Sequence, residues 1–276
     1  MHVLIVDAIE LFYLLAPEKV SQEEEFQYKL QTKVIEWCDR QKMYQFDEIV
    51  FAWDFYSITI MEGLSRQMPY DDVGSLFFAE KYGKAKLLGM DCLNLLFNTS
   101  PVANVFHKSA SVLATVRELT MCLIGEGQDV TLFGTDSRFY GILGEFQTIK
   151  IMDDHKHIGY NEAIDYLGCL PENYFLFRTL VGDASLFLPP WSSQIDFSEF
   201  TEMMGTNQVF TEVTGVRVTM DKYLHNPRRY ESYVASLLQE CNLVHQVGYH
   251  NKKDLFRQRL YFLQPMHISA EELEYR

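Results

Sequence analysis

The sequence has little of several features that would identify a class of protein directly. Its 276 residues include five cysteines, an odd number without Cys-x-x-Cys spacing, so neither a disulfide framework nor a zinc site is predicted. No apolar run approaches the ~20 residues of a membrane-spanning helix, and the first residues lack the basic flank and cleavage site of a secretory signal. We therefore expect a soluble, cytoplasmic protein with reduced thiols.

Positive charge is also scarce. The chain has 24 Lys and Arg against 38 Asp and Glu, a net charge of −14. Proteins that bind nucleic acids through phosphates concentrate positive charge, so the composition favours protein partners and weak or no direct DNA binding. The basic stretches that occur late in the chain are typical either of a solvated face, which we favour, or of a nucleic-acid patch. Their residues are Arg228, Arg229, Lys252, Lys253, Arg257 and Arg259.

The sequence does contain apparent buried strands that end in aspartate. Three continuous apolar runs end in, or just before, Asp7, Asp54 and Asp136, and a fourth, short strand is predicted near 147–152. Runs of this kind are typical of parallel strands covered on both faces, and helical periodicity over 21–44 and 109–123 separates them. We therefore expect an α/β fold with a central parallel sheet flanked by helices. The aspartates suit either strand-end capping or a cleft site at the carboxyl edge of the sheet.

Five segments of the chain follow one another in an order that resembles a known family. The longest, 170–189, contains Pro171-Glu172 and Gly182-Asp183 and is similar to a Pro-Glu…Gly-Asp-Ser-Ser-Asp-Asn-Ile-Pro motif. The set resembles the 5′-nuclease superfamily, which includes flap endonucleases, 5′→3′ exonuclease domains of bacterial DNA polymerases and bacteriophage-type relatives. The shorter matching segments are 3–8, 50–54, 108–116 and 130–138.

The resemblance implies an architecture and a metal site. The architecture is a PIN-like α/β domain over 1–190. The mixed, more polar sequence of 191–276 separately predicts a mainly helical, mixed extension packed on it. In the site, carboxylates at strand ends hold Mg²⁺ or Mn²⁺ for two-metal hydrolysis. The matching residues in this chain are Asp7, Asp54, Asp136 and Asp183.

Five positions depart from the family's acidic pattern. Acids are replaced there by Lys108, Ala110, Ser111, Arg138 and Leu186. Losing roughly half of the acids weakens any metal site, because two dications ~4 Å apart need several carboxylates. Lys108 and Arg138 would place fixed cations in the cleft and offset carboxylate repulsion without a metal. The alternative for these two residues is a pair of solvated surface charges.

The departures lead to three expectations. The favoured one is a catalytically degenerate 5′-nuclease-like protein without a cofactor, acting as a non-catalytic subunit or scaffold in a replication or transcription complex. The alternative is a divergent, active, Mg²⁺- or Mn²⁺-dependent 5′→3′ exonuclease or flap endonuclease that uses the four aspartates and a further acid such as Glu10. A third is a single-strand or junction binder that does not cleave.

Overall fold

A mostly parallel sheet forms the centre of the molecule. The computed structural model describes residues 1–17, 22–56, 85, 87–136, 138–153, 156–167, 170–175 and 264–276. Within these ranges one seven-stranded sheet has the order β6-β5-β4-β1-β2-β3-β7, in which only the two edge strands are antiparallel to their neighbours. The strands are β1 (His2–Asp7), β2 (Glu48–Trp53), β3 (Ala103–Phe106), β4 (Asp129–Phe133), β5 (Lys150–Asp153), β6 (Lys156–Ile158) and β7 (Glu274–Tyr275).

Helices cover both faces of this sheet. Leu4 and Val6 of β1 pack into one hydrophobic cluster with the first three helices, while Val3 and Ile5 pack into a second cluster with the later ones. Because side chains alternate along a strand, a strand between two helical layers must be apolar on both faces. The helices are α1 (Ala8–Leu15), α2 (Glu23–Tyr44), α3 (Met90–Thr99), α4 (Val112–Gly125), α5 (Phe139–Glu145) and α6 (Tyr160–Leu167).

The fold class expected from the sequence is confirmed, with additions at the sheet edges. β3, β6 and β7 are not among the predicted strands, and β7 brings residues near the end of the chain into the sheet. Residues 176–263 lie outside the described ranges, so the domain boundary near 190 stays a prediction. None of the described helices is both long and apolar enough to cross a membrane.

Strand order creates a crevice between β1 and β4. The chain runs from β1 to β2 and β3 on one side, and then places β4 and β5 on the other side of β1. In open α/β sheets, such a switch point leaves a crevice at the carboxyl ends of the strands, where ligands bind. Asp7 at the end of β1 and Asp136 after β4 flank this crevice.

Candidate functional site

Asp7 stands where β1 turns directly into α1. It is 1% exposed, and its Oδ1 accepts a hydrogen bond from the backbone N–H of Glu10 at 3.3 Å. The side chain therefore caps the N-terminus of α1, where a carboxylate also interacts favourably with the helix dipole. This capped turn brings Glu10, in the first turn of α1, back toward the end of the strand.

Glu10 connects the two sides of the crevice. Its side chain is buried, and Oε1 accepts a hydrogen bond from Oγ1 of Thr135 at 2.5 Å. The preceding residue, Gly134, allows the close approach, because a Cβ there would lie 3.3 Å from Cβ of Asp7 and 2.6 Å from the ring of Phe139. The end of β4 therefore lies directly against the end of β1.

Asp136 is held by a cation two residues away. Arg138 donates from Nη2 to Oδ2 of Asp136 at 2.7 Å and from Nε to Oδ1 at 3.0 Å, and its backbone N–H also donates to Oδ1 at 3.0 Å. Both side chains are shielded, at 7% exposed for Asp136 and 14% for Arg138. A two-point contact of this kind matches the guanidinium fork to the carboxylate plane.

Arg138 also experiences the charge of a second strand end. Burial acts to lower the pKa of the guanidinium, but attraction to Asp136, hydrogen bonds to it, and smaller effects of Asp54 and Tyr174 together raise the pKa above its ordinary value. Asp54, which follows β2, is 3% exposed. We call Asp7, Glu10, Asp54 and Asp136, the acids at and after the ends of β1, β2 and β4, the carboxylate cluster; Arg138 contacts Asp136 and experiences the charge of Asp54.

Lys108 does not join this cluster, and its expected place in the cleft is wrong. It follows β3, two strands away from β1, with a side chain 76% exposed, and its Nζ lies 2.5 Å from Oε1 of Glu274. The physical reason is β7, which pairs with β3 and supplies a carboxylate outside the cleft. Ala110 is buried and Ser111 is the N-cap residue of α4, and neither side chain is acidic.

Several predicted site residues lie outside the described ranges. They include the fourth aspartate, Asp183, and the departure at Leu186. The basic candidates lie there too, so their contact with nucleic acid stays a prediction. These are Arg228, Arg229, Lys252, Lys253, Arg257 and Arg259.

His107 is a residue that the sequence analysis missed. It follows β3, is 5% exposed, and accepts a hydrogen bond at Nδ1 from the backbone N–H of Ser109 at 3.0 Å. Its Nε2 lies 3.9 Å from Oε2 of Glu272. The only signal in the sequence is its place directly after an apolar run, which does not distinguish a buried imidazole from an exposed one.

The carboxylate cluster does not have the form of a metal site in the described part of the chain. There, no group of three or more His, Cys, Asp and Glu side chains has the geometry to hold a metal ion. Both oxygens of Asp136 accept hydrogen bonds from the Arg138 guanidinium. A divalent ion would therefore have to displace an existing cation to reach this carboxylate.

Comparisons with known proteins find no match among protein-family models or curated proteins, but they do find solved structures. The bacteriophage T5 D15 protein co-crystallised with metal ions has a TM-score of 0.50 and 10% identity, covering 95% of this chain and 99% of that chain. The T5 5′-exonuclease with bound zinc has a TM-score of 0.48 and 11% identity, with 95% and 99% covered. At 10% identity, the first likeness shows the fold alone: a PIN-like, mostly parallel sheet flanked by helices, as in the T5 D15 protein.

Proposed function

We propose that this chain is a catalytically degenerate 5′-nuclease-like protein that serves as a non-catalytic subunit or scaffold in a nucleic-acid-processing complex. The observation that supports this most is the two-point contact of Arg138 with Asp136 at the β1–β4 crevice. A guanidinium does not lose its proton in proteins, so it is a permanent positive charge beside this carboxylate.

Electrostatics supports the loss of metal catalysis. Two-metal hydrolysis holds both the attacking and the leaving oxygen between cations ~4 Å apart, and carboxylates must offset that charge. Arg138 already neutralises Asp136 and lies within the electrostatic influence of Asp54. Asp7 and Glu10 accept hydrogen bonds from the backbone of α1 and from Thr135 respectively. Because Arg138 is a fixed cation, less negative charge is left for two dications than the carboxylates alone would supply.

Overall charge supports protein rather than duplex DNA as the partner. With a net charge of −14, the chain has no general attraction to phosphates. In a titration with duplex or flap DNA at ~0.15 M salt, affinity is expected to be no better than the non-specific range of about 10⁻⁴ to 10⁻⁶ M. Nanomolar binding with a steep salt dependence would contradict this part of the proposal.

One observation favours the alternative, an active Mg²⁺- or Mn²⁺-dependent 5′→3′ exonuclease or flap endonuclease. Glu10 is a buried acid beside Asp7 and adds a carboxylate to the crevice. In that case Glu10, together with Asp7, Asp54, Asp136 and Asp183, would be the ligands, and Arg138 would have to leave Asp136.

A cleavage assay separates the two. The full chain, in excess over flap, nicked and single-stranded DNA, is incubated with Mg²⁺ or Mn²⁺. An Asp7→Asn/Asp136→Asn variant, purified in the same way, is assayed in parallel. The proposal expects the two proteins to give the same background. Metal-dependent cleavage by the natural chain that the double variant lacks would establish the alternative.

A further inference from the structure

An aromatic pocket between α3, β3 and β7 has no part in the proposed function. It is a cavity of about 280 Å³ whose lining includes Phe55, the residue that follows Asp54 in the sequence. This volume is slightly below the range of about 300–1,000 Å³ that is usual for ligand pockets. Its lining includes Phe55, Phe97, Phe106, Asn94, Asn98 and Arg276.

Three phenyl rings form a corner of this pocket. Phe55, Phe97 and Phe106 are mutually near-perpendicular, with interplanar angles of 88°, 85° and 84° and centroids 5.3 to 5.9 Å apart. Trp53 stacks under Phe55 at 5.3 Å and is itself fixed by a hydrogen bond from Nε1 to Oδ1 of Asn104 at 2.8 Å. The corner is therefore rigid. Phe97 is buried, so a flat ring placed in the pocket meets Phe55 and Phe106, which are only partly buried.

Polar groups complete the lining. The guanidinium of Arg276 lies 5.3 Å from the centre of the Phe97 ring and donates from Nη1 to Oδ1 of Asn98 at 2.5 Å. Asn98 in turn donates from Nδ2 to the backbone oxygen of Asn94 at 2.7 Å. Asn94 is an exposed residue of α3, and its side-chain amide has both donors and an acceptor.

We propose that this pocket binds one nucleobase. A flat ligand suits the corner of perpendicular rings, and polar edges suit Asn94 and Arg276, which line the same cavity. Bases satisfy both requirements: they stack on aromatic and guanidinium planes, and an asparagine amide pairs with the N6 and N7 edge of adenine. The inference is independent of whether the chain cleaves DNA.

The local charge fits a nucleotide better than the overall charge does. Glu274 also lines the pocket, but its carboxylate is paired with Lys108. Arg276 then contributes a positive charge at the wall. The guanidinium of Arg276 therefore favours a phosphate next to the base, although duplex DNA as a whole is not attracted.

The test is calorimetric titration of the full chain with adenosine 5′-monophosphate, a deoxyadenosine tetranucleotide and the same tetranucleotide without bases. Phe55→Leu and Asn94→Ala are the test variants. Their controls are Phe146→Leu, a partly buried ring in the other hydrophobic cluster, and Asn161→Ala, an exposed position of α6. Phe55→Leu is expected to weaken binding of the base-containing probes about tenfold or more, and Asn94→Ala about threefold or more, while the controls leave it unchanged.

The probes also identify the source of the base. Tighter binding of the tetranucleotide than of the mononucleotide would indicate single-stranded nucleic acid, and equal binding would indicate a free nucleotide; both results support the pocket. Equal affinity for the tetranucleotide without bases would overturn the proposal. So would absence of binding by all three probes, or displacement by N-acetyltryptophanamide at lower concentration than by the mononucleotide, which would indicate an aromatic side chain of a protein partner.

Discussion

The guanidinium of Arg138 lies on the carboxylate of Asp136, with Nη2 to Oδ2 at 2.7 Å and Nε to Oδ1 at 3.0 Å. The two residues are separated by one position, and the backbone N–H of Arg138 binds the same carboxylate at 3.0 Å. The contact is therefore built by one turn after β4. It places a permanent cation at the crevice, where carboxylates lie at the ends of β1, β2 and β4.

Breaking this contact from one side should be costly. Arg138→Gln leaves Asp136 in a shielded place without its cation, and we expect a loss of about 3 kcal/mol in the free energy of unfolding. Adding Asp136→Asn removes the uncompensated charge, so the double variant should lose less than the sum of the single losses by roughly 1 kcal/mol or more. Urea unfolding of the four proteins measures this cycle. Additive losses would mean that the contact contributes no coupling.

Lys108 should behave as a surface residue. Its side chain is 76% exposed and its partner Glu274 is 41% exposed, so water screens the attraction between them. Lys108→Ala is expected to change the free energy of unfolding by no more than ~1 kcal/mol. The same unfolding experiment checks this. A loss as large as that of Arg138→Gln would contradict the expectation that water screens this contact.

These two cations show what the sequence can and cannot establish about the site. Asp7, Asp54 and Asp136 are recognisable because each follows a continuous apolar run, and the strand pattern brings such ends to one edge. Arg138 is also predictable, since its partner is a sequence neighbour. Lys108 is not, because its environment depends on the two residues of β7, whose pairing with β3 leaves no periodic signal.

The contact between Glu10 and Thr135 was missed for a similar reason. The residues are 125 positions apart, and only the order of strands β4 and β1 in the sheet places them together. The cluster as a whole thus depends on local strand ends, which can be predicted, and on pairings across the sheet, which cannot.

Gly134 should be needed for the close approach of the end of β4 to the end of β1. A Cβ there would lie 2.6 Å from the buried ring of Phe139 and 3.3 Å from Asp7, so Gly134→Ala has to displace one of them. We expect a loss of about 1–3 kcal/mol in thermal or urea unfolding. Gly125→Ala is the control, because a Cβ there meets nothing within 4 Å. Equal stability of the two variants would contradict the close approach of β4 to β1.

Acid should weaken the fold through His157. Burial, with the charges of Lys150 and His2, lowers the pKa of His157 below its ordinary value of 6.5, so the unfolded chain binds this proton first as pH falls. The contribution of His157 to the free energy of unfolding is complete above pH 6.5 and is lost as pH falls toward its lower pKa in the folded state. His157→Gln should reduce the drop in Tm between about pH 7.5 and about pH 5.5, with exposed His267→Gln as the control for removal of an imidazole. An unchanged drop would contradict this assignment.

The central claim is that Arg138 stands in for a metal ion in the carboxylate cluster, and titration of free Mn²⁺ by electron paramagnetic resonance tests it most directly. Arg138→Asp removes the cation and adds an acid, so it should bind Mn²⁺ about tenfold or more tightly than the natural chain. Exposed Arg40→Asp makes the same change in net charge on α2 and should have little effect. Adding Lys108→Glu to Arg138→Asp should bring no further gain, and adding Asp7→Asn should reverse it. Tight Mn²⁺ binding by the natural chain, unchanged in Arg138→Asp and lost in Asp7→Asn, would contradict the account.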